Sequence, residues 1–227
     1  MATVLGSGWL RTFASLSVRD YRWLWLGTAA SFMSMQMQEV ARGWLVYDMT
    51  GSPLALGLVV GAWGLPMVAL STVGGVVVDR VSKRRVILLT QAFQALITLG
   101  QAVLIVLGLI QVWHLVLAGF LQGALFPFNM PARQALISDV VGEDRLMNAI
   151  ALNGAAINTT RLVGPALAGV LVAVLGVGAV FFLMAFCYAL AAWTTALVSV
   201  PGNPRPGRQG SIRSELFSGL RYMRSDA

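Results

Sequence analysis

A chain of 227 residues that is 57% hydrophobic and 11% charged carries far less charge than the roughly 25% of a water-soluble domain, and its apolar residues come in blocks too long for ordinary core helices. Its formal charge of +7 falls between those blocks rather than on one face, which argues against a nucleic-acid surface and fits the cation bias of membrane loops. The single cysteine, Cys187, excludes an intrachain disulfide framework.

At about 20–25 residues per span, six transmembrane helices are expected at 22–46, 53–78, 86–109, 113–138, 148–175 and 179–199. They follow an N-terminal segment, 1–21, and precede a segment at 200–227. The apolar pattern of the first span runs on to Tyr47, too far for a cleaved signal peptide. On that span Glu39 and Arg42 stand three residues apart, close enough to pair and so lower the cost of burying either. The second span carries Gly57 and Gly61 at helix-packing spacing and ends in G-G-V-V-V-D-R-V-S-K-R-R, Gly74 to Arg85. A carboxylate at a helix C-terminus opposes the macrodipole. Asp79 therefore calls for cations, with Arg80, Lys83, Arg84 and Arg85 at hand, and Gly75 leaves room for a facing helix.

The third span sets Gln91, Gln94, Thr98 and Gln101 on one face, a polar stripe expected to turn into the bundle. His114 opens the fourth span beside Trp113, an interfacial pair. Further along, Gln122 and Asn129 flank a kink expected at Pro127, and Pro131 follows. Arg161 sits near the middle of the fifth span, where a charge needs a protein partner or a watery cavity. Pro165 lacks the N–H that would reach the Arg161 carbonyl, and Asn158 lies one turn earlier. Gly164 and Ala168 again have helix-packing spacing. The sixth span is apolar nearly all round, which suggests a lipid-facing support. Pro201 to Gly210 is too rich in proline and glycine to hold a helix, and Ser211 can cap an amphipathic one with Ile212, Leu216, Leu220 and Met223 on its apolar face.

Connections after the first, third and fifth spans carry no Lys or Arg, whereas those after the second, fourth and sixth carry nearly all of them. Both termini are accordingly expected in the cytoplasm. No nucleotide-binding glycine loop, metal-ligand cluster or nucleophile–base arrangement is present in the sequence, so neither cofactor, metal nor enzymatic activity is expected.

The Gly74–Arg85 stretch resembles the signature G-x-x-x-D-R-x-G-R-R of the major facilitator superfamily, with Ser82 in place of a glycine. Trp44 to Gly57, Met130 to Val141 and Met147 to Gly169 are similar to the exporter branch that includes enterobactin and macrolide exporters, the last stretch holding the helix-kink residues Gly164, Pro165 and Gly169. The resemblance implies an all-α membrane fold in which six helices, three plus three in inverted repeat, form the N-terminal half of a transporter, an architecture for which this superfamily is a standard example. It implies secondary active efflux of small amphipathic compounds across a bacterial inner membrane by alternating access. Gly75, Asp79, Arg80, Lys83, Arg84 and Arg85 would be a cytoplasmic gate, and Gln122 and Asn129 on the fourth helix would line the cavity. With Arg161, Asn158, Glu39 and Arg42, singled out by their place inside the membrane, they are the substrate or coupling candidates, each with a structural role between helices as the alternative. The partners are the lipid bilayer, a small-molecule substrate and a missing C-terminal six-helix half or a second copy. Truncation is the favoured account of the chain's length. One departure stands out: the family often has an arginine three residues before Q-G in its fourth helix, and here that position is Gly119, which puts proton antiport in question, with Arg161 or Glu39 as substitutes. The competing function is a transport-inactive regulatory or assembly protein that keeps the half-fold.

The orientation is testable. With Cys187 replaced by alanine, a new cysteine at Ser52 should react with an impermeant thiol reagent in intact cells, and one at Ser82 should not. Labelling at Ser82 from outside would invert the topology.

Overall fold

The computed structural model describes residues 14–203; the linker from 204 onward, the expected amphipathic helix after Ser211 and most of the 1–21 segment lie outside them. Among the described residues the chain is helical throughout. A short 3-10 turn, Ala14–Ser17, leads into α1 (Arg19–Thr50), α2 (Pro53–Arg80), α3 (Lys83–Val106), α4 (Val112–Val141), α5 (Glu143–Leu175) and α6 (Val177–Ala196). Each helix overlaps one expected span: α1, α4 and α5 extend about a turn beyond it at one end or both, whereas α3 and α6 end three residues short of it. At the start of α2, the Ser52 side chain accepts from the Ala55 N–H with Pro53 in the first turn, an N-terminal arrangement that satisfies an otherwise orphan donor.

Five helices, α2 to α6, are long and apolar enough to cross a membrane. Helix α1 is longer than four of them but more polar, and it has more buried residues than any of the others. It packs mainly on α5 and α6, while α4 packs mainly on α2 and α3, and α3 packs on α6. One apolar cluster, including Met37, Leu45, Val46, Leu115, Phe181 and Met184, fills one end of the bundle. A second, including Tyr21, Leu24, Ile87, Leu136 and Leu152, fills the other, where the basic loops lie.

Two expectations are corrected here. The sixth helix is no lipid-facing support: α6 lies against α1 and α3 and buries Val180, Phe181, Met184, Tyr188 and Thr195 among other residues. An all-apolar surface suits lipid and an apolar neighbour equally, so hydropathy alone does not distinguish them. The packing glycines are also largely other ones. A Cβ at Gly57, Gly61, Gly75 or Gly169 would touch nothing within 4 Å, whereas one at Gly74 would collide with the Pro127 carbonyl and one at Gly123 with the Trp63 backbone. Gly164 does serve, with a Cβ there meeting Gln36 Cβ at 2.7 Å. The tight α2–α4 crossing has a local cause. Pro131 lacks the N–H that would bond the Pro127 carbonyl, leaving that oxygen for the bare Cα of Gly74.

Gly123→Ala should therefore destabilise the purified chain by about 1–3 kcal/mol through overpacking. Gly61→Ala, on an open face, should leave its thermal unfolding midpoint in detergent nearly unchanged. Equal effects of the two would refute the assignment of the crossing.

Candidate functional site

Helix α1 supplies most of the polar interior. Its buried Thr28, Ser31, Ser34, Gln36 and Gln38 share the helix with Glu39 and Arg42, and α3, α4 and α6 offer partners to several of them. Ser34 Oγ donates to the Met184 carbonyl of α6 at 2.9 Å. Gln38 Nε2 donates to Gln101 Oε1 of α3 at 3.4 Å. The expected polar stripe of α3 does turn inward, with Gln91, Thr98 and Gln101 buried.

The centre of the arrangement is a relay across three helices. Arg42 Nη2 donates to Gln122 Oε1 at 2.9 Å, and Gln122 Nε2 donates to Thr98 Oγ1 at 3.2 Å. The guanidinium has its place because Gly119 has no side chain: a Cβ there would stand 3.3 Å from Arg42 Nη1. Arg42 thus turns to α4 for its hydrogen bond, and the expected Glu39–Arg42 pair gives way to an Arg42–Gln122 bond. Glu39 is exposed at a cleft of about 200 Å³ between α1 and α2. Gln36, Gln38, Glu39, Arg42, Val59 and Trp63 line it. Trp63 is held by an edge-to-face contact with Phe126, ring centroids 5.7 Å apart. The cleft therefore offers a cation, a carboxylate, amides and an aromatic face, a set suited to an amphipathic small molecule.

The remaining candidates lie elsewhere. Asn129 Nδ2 donates to Thr90 Oγ1 of α3 at 2.6 Å, an interhelical bond outside the cleft. Asn158 and Arg161 are exposed on α5, also outside it, although Gly164 brings α5 hard against Gln36. The gate motif is divided. Asp79 is exposed at the end of α2, while Lys83, 2% exposed, pairs with Asp139 of α4 at 2.6 Å. Arg84 donates to the Thr195 and Ala196 carbonyls, capping the C-terminus of α6 where the macrodipole favours a cation.

Arg133 is the buried charge that the sequence reading left among the loop cations. It is 1% exposed and donates from Nη1 to Thr28 Oγ1 at 2.6 Å and from Nη2 to Ser31 Oγ at 3.4 Å. The two hydroxyls donate in turn to α1 carbonyls, so each is oriented to accept. Its signal was its register: Gln122, Asn129 and Arg133 are spaced seven and four apart, one face of a helix.

Residues 10–227 match the family described as transmembrane secretion effector. Over 225 residues the chain is 28% identical to the enterobactin exporter EntS of Citrobacter koseri, covering 96% of this chain and 52% of that protein. It is 27% identical to the multidrug efflux pump Tap of Mycolicibacterium fortuitum, over 81% of this chain and 47% of the pump. It is 28% identical to the staphyloferrin A transporter of Staphylococcus aureus, over 70% of this chain and 41% of that one. The chain thus spans about half the length or less of these curated relatives.

If the hydroxyl cradle holds Arg133, Thr28→Val and Arg133→Met should couple by about 1–3 kcal/mol in a double-mutant cycle of unfolding in detergent. Additive effects would show that the guanidinium is held by something else.

With apolar helices long enough to span a bilayer, a polar interior carried by α1 and a family match over nearly its whole length, the chain belongs to the transmembrane secretion effector family of major facilitator transporters, multi-pass membrane proteins.

Proposed function

We propose that this chain forms one six-helix half of a secondary active exporter of small amphipathic compounds, siderophores or drugs, in a bacterial inner membrane with both ends of the half in the cytoplasm. The relay Arg42–Gln122–Thr98 beside the α1–α2 cleft carries this reading. Buried polar side chains in a membrane bundle are costly and mark pathways for ions or substrates. The names of the relatives supply the substrate class, and α1 counts as the sixth span because its neighbours bring partners to Ser34, Gln38, Arg42 and the two hydroxyls of Thr28 and Ser31.

The packing supports an inverted three-plus-three repeat. Exchanging α1 with α4, α2 with α5 and α3 with α6 carries each major contact onto another: α2 on α4 becomes α5 on α1, α3 on α4 becomes α6 on α1, and α3 on α6 maps onto itself. Three helices per repeat invert the second copy. The same reading gives Gly119 a meaning. The cation that the family resemblance expects on α4 is supplied from α1 by Arg42, and Glu39 in the cleft is the carboxylate available for coupling. Asn158 and Arg161, exposed on α5, and Gly75 and Asp79 on α2 would meet a second six-helix half, with Asp79 and Arg80 as its gate contact and Lys83 and Arg84 holding that gate in place. The helix-kink residues Pro165 and Gly169 shape the same α5 face.

Alternating access needs two bundles, but insertion needs only that each span satisfies its own backbone. The purified 227-residue chain should therefore insert into liposomes, show no saturable, gradient-dependent flux as a monomer, and gain it only when paired with a second bundle. In that pair Arg42→Gln should lower flux by about tenfold or more, the loss of a charge-assisted hydrogen bond worth about 1.5–3 kcal/mol. Flux from a crosslink-verified monomer, or an Arg42→Gln pair with unchanged flux, would sink the proposal.

A further inference from the structure

The basic end of the bundle holds a second cavity, unrelated to the α1–α2 cleft. A groove of about 680 Å³ runs between the α2–α3 turn and the stretch 201–203. Its lining includes Arg80, Arg84, Arg85, Leu88, Leu89 and Asn203, so that one wall is cationic and the other apolar. We infer that this groove binds the headgroup of an anionic phospholipid, with the guanidinium groups on the phosphate and the leucines against the start of an acyl chain.

Position is the first support. Helix α3 begins at Lys83 and turns apolar at Val86, so Leu88 and Leu89 lie in the first turn inside the hydrocarbon. Leu89 is 54% exposed. The arginines sit one turn farther out, at headgroup depth, where basic pockets between helices take anionic headgroups. A soluble anion has no use for the leucines, and a lipid uses both walls.

Charge is the second. The nearby Lys83 is neutralised by Asp139. Arg84 is bonded to two carbonyls, which carry no net charge to cancel its own, and Arg85 is exposed. Against the three guanidinium groups stands the Asp79 carboxylate beside Arg80, leaving a net positive groove. Guanidinium groups bind phosphate in paired hydrogen bonds.

The third is that the walls are built. Ser82 Oγ donates to the Pro201 carbonyl at 2.6 Å, and the Lys83 N–H donates to the Gly202 carbonyl at 3.0 Å. Gly202 has φ +58° and lies against Leu136 and Lys83, where a side chain would collide. A groove fixed before binding costs the ligand less ordering. A lipid seated there would tie the α2–α3 turn to the exit of α6. The inference rests on membrane embedding alone and stands or falls separately from the export reading.

The test is native mass spectrometry of the purified chain in a neutral detergent. It is titrated with phosphatidylglycerol, with phosphatidylcholine of the same acyl chains, and with glycerol 3-phosphate. The unaltered chain should retain phosphatidylglycerol at a concentration roughly 30-fold or more below that needed for phosphatidylcholine, the scale set by two or three arginines near the membrane surface. Arg80→Gln with Arg85→Gln should erase that preference and Arg22→Gln, on α1, should keep it. Arg85→Gln alone, at an exposed side chain, should reduce it about threefold or more, by the same scale, should the double variant misfold. Equal retention of the two lipids by the unaltered chain overturns the inference. So does a folded Arg85→Gln variant with the full preference, or displacement of the lipid by equimolar glycerol 3-phosphate, which would make this a site for soluble phosphate.

Discussion

Lipid cannot solvate α1. Along this helix Thr28, Ser31, Ser34, Gln36 and Gln38 are buried, and Arg42 follows within a turn. In hydrocarbon a polar group without a partner costs several kcal/mol, more than any helix propensity can offset. The helix is tolerable only if enclosed by neighbours that bring partners. The α6 backbone carbonyl at Met184 serves Ser34, Gln101 of α3 serves Gln38, and Gln122 and Arg133 of α4 meet Arg42 and the two hydroxyls. The more apolar helices wrap the more polar one, and this inversion of a soluble fold sets which helix lies where.

The same demand for partners organises the basic end. The last carbonyls of α6 have no intrahelical donor, and Arg84 provides one from α3. Beyond α6 the Leu197 and Val198 N–H groups bond back to its last carbonyls, and those of Ser199 and Val200 find the Asp20 carboxylate at the start of α1. Ser15 reaches Asn148 and the Arg145 carbonyl of α5, and Arg145 reaches Ser17. Charges that a topology rule counts as loop markers thus stitch one helix end to another. Lys83, Arg84 and Arg145 hold the rim, and Arg80 and Arg85 line the groove beside it.

The number, type and extent of the helices were legible from sequence because span length is imposed by the bilayer and caps sit just outside it. The inward face of α3 was legible too, since Gln91, Thr98 and Gln101 have no other acceptable environment. Helix α6 was not, because Phe181 or Met184 is equally at ease against lipid and against α1. Arg133 was hidden by its nearness to the basic end, where a cation is unremarkable until its register with Gln122 and Asn129 is counted. Nor could spacing tell Gly74 from Gly75: one glycine faces the Pro127 carbonyl and its neighbour faces outward. Of the site candidates, Arg42 was paired with Glu39 and Gln122 with Asn129, and the bond between Arg42 and Gln122 was not legible, because it depends on the empty space at Gly119, which no local pattern records.

The outer surface carries the remaining argument. A lipid-facing surface is apolar throughout, as it is where Leu89, Phe93, Leu96 and Val103 of α3 are exposed. Yet α5 exposes Asn158 and Arg161 midway along its length, and the α1–α2 cleft exposes Glu39. An arginine at mid-membrane is held at a cost of about 2.5–3.5 kcal/mol even on the lenient insertion scale, and nothing in the bundle's own packing requires that residue to be there. Helix α5 carries Asn158 and Arg161, while α2, its counterpart in the repeat proposed above, borders the cleft at Glu39 and carries an open glycine row at Gly57, Gly61, Gly64 and Gly75. A surface that mixes charge, amide and bare backbone is poor against lipid and good against another helix bundle. This is the face on which the second half proposed above would pack.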